Sequence, residues 1–279
     1  MKQKRLLTIQ DLSCFGKCSL TAAIPVASAM GIETVVLPTA VLSTHTGEFN
    51  GYTFHSLEGC FEQITTHWKK EKIAFDAIHI GYIGSKTLIE KIKKVIDDFR
   101  GENTFVYIDP AMADNGSFYS GLDEEYAKSL SLLCKKADII SPNLTEALIL
   151  AGKSPAEIAG FEDENTLLHI LKKYCPTPII TGIHKDKKIA TAVLSGEKIF
   201  VAQHDAKDGV FYGTGDLFAA ALAAMSLCGI ELCEAVKYAT DFVNDCIEKT
   251  LDEREKYWYG LKFEQSLGFL TDLYRKTLK

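Results

Sequence analysis

No long basic cluster occurs in this chain, and its formal charge is −6. A nucleic-acid partner requires clustered basic residues, so none is expected. No apolar run is long enough for a bilayer: the alanine-rich stretch 218–225 is far too short, and no membrane partner is expected. The start, Met1-Lys2-Gln3-Lys4-Arg5, is basic, but the apolar run behind it is short and meets Asp11, unlike a signal peptide. A cytoplasmic protein is the expectation. CxxC is absent, and no histidine pair has metal-site spacing. The eight cysteines, at 14, 18, 60, 134, 175, 228, 233 and 246, are therefore predicted to be reduced, mostly buried thiols, with Cys14 the one near a proposed site. The Gly-Lys-Ser/Thr phosphate loop is missing, and Phe218 spoils a GxGxxG reading at Gly213. No linker, repeat or low-complexity tract divides the 279 residues, which predicts one domain over 1–279.

What is present is alternation. Short apolar runs at 6–10, 34–37, 77–80, 104–108, 138–140 and 178–181 read as strands. Helical spacing follows from about Ser19, with Pro25 inside and a stop at Gly31, and again over 85–99. Segments near 189–194 and 198–202 suggest a hairpin, and the chain after Gly215 reads as mostly helical. Such βαβα order predicts an α/β fold with a mainly parallel sheet covered by helices on both faces. Ligands then bind beyond the carboxyl ends of the strands. The segment 43–55, rich in Thr, Gly and His, breaks the pattern and reads either as a surface loop or as a flap over a ligand.

The most informative stretch is Gly213-Thr214-Gly215-Asp216, followed at once by Leu217-Phe218-Ala219-Ala220-Ala221-Leu222. The glycines permit a tight turn, and strong helix formers follow. The unpaired N–H groups and partial positive charge of a helix N-terminus suit an anion. Asp216 at that mouth is a candidate base. An anion hole with a base is what phosphoryl transfer to an alcohol requires. Alone, the motif is equally a capped turn.

Other acids change the balance. Asp109 follows a strand, and Glu146 lies one turn into the helix after Ser141-Pro142-Asn143, on the face of Asn143. Oxygen donors gathered at a strand rim suit Mg²⁺ completed by water and phosphate. Singly, Asp109-Pro110 is also a plain turn and Glu146 a plain first-turn acid.

These motifs together resemble the pyridoxal kinases of the ribokinase-like superfamily, from Ile9 to about Leu222. The start Ile9-Gln10-Asp11 through Gly16 to Ala22-Ala23 resembles the family's first strand and turn. Ser43-Thr44-His45-Thr46-Gly47 resembles its Ser-Asn-His-Thr flap motif, and Gly81-Tyr82-Ile83-Gly84-Ser85 its Gly-Tyr-Leu-Gly-Ser. Asp109-Pro110-Ala111-Met112, Pro142-Asn143-Leu144-Thr145-Glu146 and the GxGD turn resemble Asp-Pro-Val-Met, Pro-Asn-x-x-Glu and Gly-x-Gly-Asp. GxGD is shared across the superfamily. The His-Thr-Gly and Gly-Tyr-Ile-Gly-Ser pair is far more specific.

The resemblance implies a three-layer ribokinase-like fold with a flap, and ATP-dependent phosphorylation of the 5′-hydroxymethyl group of pyridoxal, pyridoxine or pyridoxamine. Asp216 would be the base, with the backbone at Gly213, Thr214 and Gly215 holding the phosphate. Asp109 and Glu146 would organise Mg²⁺ and the ATP phosphates, Glu146 through water. Ser141, Asn143 and Thr181 would lie along the nucleotide. Thr46 and Gly47 would contact the vitamer, His45 would shape the flap, and Tyr82 would pack on the pyridine ring. A homodimer is implied, and a monovalent-cation requirement is left open. Asp11 departs from the serine of many members. An aspartate there accepts from a protonated ring nitrogen or from the ring hydroxyl, and also resembles the hydroxyl-binding aspartate of sugar kinases. A hydroxymethylpyrimidine or sugar kinase is thus the second reading, although members of the former type carry Cys where this chain has Asp216. A non-catalytic pyridoxal phosphate binder is the third, and the base and metal acids argue against it.

Overall fold

The computed structural model describes residues 3–158, 161 and 163–278; Met1 and Lys2 of the basic start lie outside them. The chain begins with β1 (Arg5–Phe15), α1 (Leu20–Ala29) and β2 (Glu33–Thr44), then a short β3 (Phe54–Ser56). Next come α2 (Phe61–Lys70), β4 (Ala77–Ile80), α3 (Lys86–Phe99) and β5 (Phe105–Ile108). A small ribbon, β6 (Ala113–Asp114) and β7 (Ser117–Phe118), leads to α4 (Glu124–Cys134), β8 (Ile139–Ile140), α5 (Leu144–Leu150) and α6 (Glu164–Leu171). The meander β9 (Thr177–Lys185), β10 (Lys188–Ser195) and β11 (Lys198–Asp205) precedes α7 (Thr214–Leu227), α8 (Leu232–Leu251) and α9 (Leu267–Thr277).

One sheet runs in the order β11-β10-β9-β8-β5-β4-β1-β2-β3. Pairs from β2 through β1, β4, β5 and β8 to β9 are parallel. Only the edges, β2–β3, β9–β10 and β10–β11, are antiparallel. The expected mainly parallel sheet is therefore the one found.

Successive strand residues point to opposite faces, and here they feed two cores. Leu7, Ile9, Ile78, Ile80, Val106 and Ile108 pack with helices α2 to α6. Leu6, Ala77, Tyr107, Ile179 and Val193 pack with α1, α7, α8 and α9. This is a helix–sheet–helix sandwich. Full burial of a Leu or Ile stabilises it by about 1.5–3 kcal/mol each. Every residue of α7 from Leu217 to Met225 is buried. A helix apolar on all sides belongs inside, and its alanines let α1 and α8 approach closely. That enclosure fixes the N-terminus of α7 at the carboxyl rim of the sheet.

Several boundaries differ from the sequence pattern. β1 and β2 run to Phe15 and Thr44 because they stay paired beyond the apolar stretch, Ser13 with Leu42 and Phe15 with Thr44. The segment 43–55 is the tip of a hairpin between β2 and β3, closed by the Ser43 N–H donating to the Thr53 carbonyl at 3.1 Å. Helices α2, α4 and α6, and strands β3, β6 and β7, had no sequence counterpart; the strands are too short to show a period. Against the expectation of mostly buried thiols, only Cys134, Cys175 and Cys246 are buried; Cys18, Cys228 and Cys233 are half-buried, Cys14 and Cys60 are exposed, and all are free thiols.

Candidate active site

One end of the candidate site is built by β1 and β4. The parallel register of β1 with β2 slips between Gln10 and Leu12, so the irregularity falls at Asp11. Such bulges re-aim a side chain. Asp11 is buried, and its carboxylate accepts from Ser13 Oγ at 2.8 Å and Ser19 Oγ at 2.5 Å. Burial raises its pKa, and the two hydroxyls oppose that rise. Beyond β4, the Gly81 N–H donates to the Ile9 carbonyl at 3.0 Å, which carries Tyr82 to the same rim. The Tyr82 phenol is pushed up to about 12 by burial and then by the negative charge of Asp11. The negative charge of Asp11 is thus felt at the Tyr82 ring.

The flap is anchored by His45. Its Nε2 lies 2.8 Å from the Tyr259 carbonyl, which can only accept, so Nε2 carries the proton. Nδ1 then accepts the Gly47 N–H at 3.0 Å. Burial lowers the pKa of this imidazole, consistent with the neutral form. Phe49 packs on His45 at 4.9 Å and on Trp258 at 4.6 Å, while Phe15 meets Tyr259 at 4.6 Å. A Cβ on Gly47 would lie 2.5 Å from the Tyr212 ring, so the flap lies flat on the residue before the GxGD turn. Thr46 is exposed at the tip.

The other end of the candidate site gathers at β5, β8 and β9. The Asp109 N–H donates to the Ile80 carbonyl at 2.8 Å, holding it at the end of β5. Asn143 caps α5, with its Oδ1 accepting the Glu146 N–H at 3.0 Å and its Nδ2 donating to the Ala113 carbonyl at 2.8 Å. Glu146 is buried, and its carboxylate accepts the N–H groups of Asn143 at 2.8 Å and Met112 at 2.9 Å, with Ala113 at 3.4 Å. Glu146 is the first-turn acid of a capping box with Asn143, and its bonds to Met112 and Ala113 also tie α5 to the chain behind Asp109. The Ser141 hydroxyl is turned inward, 2.6 Å from the buried Tyr107 hydroxyl. Thr181 bridges Asn143 in parallel, and its N–H donates to the Pro142 carbonyl at 3.0 Å.

The GxGD turn joins the two ends. Gly213 is the left-handed N-cap of α7, with Thr214 opening the helix and Gly215 exposed in its first turn. A Cβ on Gly215 would stand 3.9 Å from Asp109 Oδ2. Asp216 and Asp109 retain some surface open to the cleft. Nevertheless burial, with the charge of Asp11 second, pushes the Asp216 carboxyl up to about 7. Asp109 is pushed up to about 8 by burial and then by Asp216, and Glu146 is raised by burial and then by Asp109. Four acids, Asp11, Asp216, Asp109 and Glu146, thus form one electrostatic row. Among the described residues, no group of three or more His, Cys, Asp or Glu side chains is set to hold a metal alone.

Sequence reasoning missed five participants. Cys18, rather than Cys14, reaches the site: its thiol and the Ser19 amide partly offset the rise at Asp216. Ser19 adopts φ +51°, which no sequence pattern announced. Tyr212, Trp258 and Tyr259 close on the flap, the last two from a stretch that the sequence pattern marked only as mostly helical. Their aromatic run Tyr257-Trp258-Tyr259-Gly260 was the available signal.

A parallel sheet whose carboxyl rim carries a buried helix N-terminus and an acid defines a small-molecule kinase of the ribokinase-like superfamily, and solved structures match it. A pyridoxal kinase from Lactobacillus plantarum superposes with TM-score 0.91 at 28% identity, covering 98% of each chain. A Bacteroides thetaiotaomicron protein assigned as a phosphomethylpyrimidine kinase, in a crystal form with pyridoxal, superposes at 0.90 with 33% identity and 96% coverage of each chain. The hydroxymethylpyrimidine/phosphomethylpyrimidine kinase of Bacillus subtilis is 28% identical over 251 residues, 88% of this chain and 90% of its own. Residues 8–258 match the phosphomethylpyrimidine kinase family profile, and the chain belongs to that family.

Proposed function

We propose that this protein transfers the γ-phosphoryl group of ATP to the 5′-hydroxymethyl group of pyridoxal, pyridoxine or pyridoxamine. The observation that carries this reading is the placement of Asp216 in the first turn of α7, directly after the Gly213–Gly215 turn, where a Cβ built on Gly215 stands 3.9 Å from Asp109 Oδ2. The likeness to pyridoxal kinase at 28% identity over nearly the whole chain supports the substrate.

In this reading the vitamer ring lies on Tyr82 beneath the flap, bounded by His45, Thr46 and Gly47. Asp216 accepts the hydroxymethyl proton as the oxygen attacks; a base with pKa near the working pH suits that step. The N–H groups opening α7, at Gly213, Thr214 and Gly215, stabilise the charge on the transferring phosphoryl group. Ser141, Asn143 and Thr181 flank the nucleotide. Mg²⁺ fits the acids at the other end, because a cation relieves the repulsion between Asp109 and Glu146. Glu146 already accepts three N–H groups, so it would hold the ion through water rather than directly. The metal would supply charge neutralisation on the phosphates. We further propose a cytoplasmic homodimer. Among the described residues no helix is long and apolar enough to cross a membrane.

The test is ADP release by the purified protein with Mg-ATP and each vitamer, hydroxymethylpyrimidine and ribose in parallel. Vitamer-dependent ADP release supports the reading. Activity only on hydroxymethylpyrimidine or a sugar overturns the substrate, and ADP release with none of them overturns the kinase reading.

A further inference from the structure

Asp11 is a buried acid without a counter-charge. It is 4% exposed, and among the described residues no lysine or arginine stands within ion-pair distance of it. The titratable groups that face it are His45 from the flap, Tyr82 beyond β4, Cys18 before α1, and Asp216 on α7. His45 is neutral, with both nitrogens engaged. Burial keeps Cys18 and Tyr82 protonated, and Asp216 has the same sign as Asp11. None of them supplies a positive charge.

Two serines prepare Asp11 to accept. Ser13 and Ser19, both buried, each turn their single hydroxyl proton onto its carboxylate. An ionised carboxylate offers about four lone-pair sites, so further donors still fit. Ser19 reaches Asp11 from a left-handed backbone conformation, φ +51°, uncommon for a residue with a Cβ. A neutral hydroxyl from a ligand would add one more dipole and leave the charge buried. A cationic N–H would both donate and neutralise, and charge-assisted bonds are roughly twice as strong as neutral ones.

We propose that Asp11, held by Ser13 and Ser19 as positioning residues, recognises a protonated ring nitrogen, so that the pocket selects ligands with a cationic ring N–H over neutral isosteres. This rests on the vitamer kinase reading above and decides between the two contacts the sequence left open for Asp11.

The experiment measures dissociation constants by calorimetry for pyridoxine and for its benzene-ring isostere, in which C–H replaces the ring nitrogen. A site built around an N–H rejects an analogue lacking it strongly, and a preference of at least about 10²-fold for pyridoxine is expected. In the Ser13→Ala/Ser19→Gly double variant the preference should shrink to a few-fold, while ATP affinity is unchanged; glycine suits φ +51°, so folding is retained. A merely structural role for the serines would weaken both ligands equally and leave the ratio intact, overturning their part. Equal binding of both ligands by the unmodified protein, with pyridoxine still phosphorylated, overturns the charge selection alone. Pyridoxine that binds with the expected preference while neither it nor pyridoxal nor pyridoxamine is phosphorylated supports the selection and overturns the vitamer kinase reading. Failure of pyridoxine to bind at all overturns both.

Discussion

Gly213 lies directly against the Lys17 carbonyl: a Cβ built on it would stand 2.3 Å from that oxygen, with φ already at +85°. The turn that opens α7 and the loop that carries Cys18 and Ser19 are therefore clamped backbone to backbone, and the base is set by both.

Gly213→Ala must shift that carbonyl and hold a side chain in left-handed space, a strain of about 1–3 kcal/mol. The variant should melt several degrees lower and lose at least about tenfold in kcat. Thermal scans and steady-state kinetics on one preparation check both; an unchanged melting temperature would show the clamp to be loose.

Asp216→Asn removes the proton acceptor and keeps the shape. Turnover should fall by about 10²–10⁴-fold while ATP binding persists. In the unmodified protein kcat/KM should rise with pH through an acid limb near 7, since Asp216 acts only when ionised and is pushed up to about 7. That limb should vanish from the residual activity of the variant. Retention of the limb would assign it to another group.

Asp109 and Asp216 have folded-state pKa values of about 8 and about 7, above the ordinary carboxylate value of 3.8. The native state thus binds more protons than the unfolded chain between roughly pH 4 and 8, and stability falls as pH rises through that window. The ligand-free protein should melt lower at pH 8 than at pH 5.5, and Mg²⁺ with ATP should recover most of the difference at pH 8. A melting temperature that rises over the same interval would contradict the row of acids.

Glu146→Gln places an amide N–H₂ among three backbone donors that need acceptors. Leaving such groups unpaired costs about 1–3 kcal/mol. Both the melting temperature and the Mg²⁺ dependence of activity should suffer. If only the melting temperature falls, Glu146 is a strut and not a metal contact.

Tyr259 accepts from His45 through its carbonyl, so His45→Ala cuts the flap's tie to the C-terminal region. The vitamer KM should rise about tenfold with the ATP KM unchanged, and proteolysis should begin within 46–53. Equal rises in both KM values would make His45 a general stability residue.

The strand–helix alternation and the ends of β4, β5 and β8 were legible in the sequence, because period-two and period-3.6 patterns are local and burial enforces them. So was Asp216, since two glycines before an alanine-rich run mark a helix start whatever surrounds it. Asp109 and Glu146 were legible as acids at strand ends, but the three donors converging on Glu146 come from segments about 30 residues apart. The pairing of Asp11 with Ser13 and Ser19, the nearness of Cys18 to the base, and the closing of Trp258 and Tyr259 on the flap were decided only by the tertiary structure. Each depends on contacts between distant segments, on one bulge in β1, or on a single backbone angle at Ser19. No local sequence period encodes these. The row of acids has the same origin: a pKa is set by what burial and folding bring close, and the chain alone fixes only which residues carry the carboxylates.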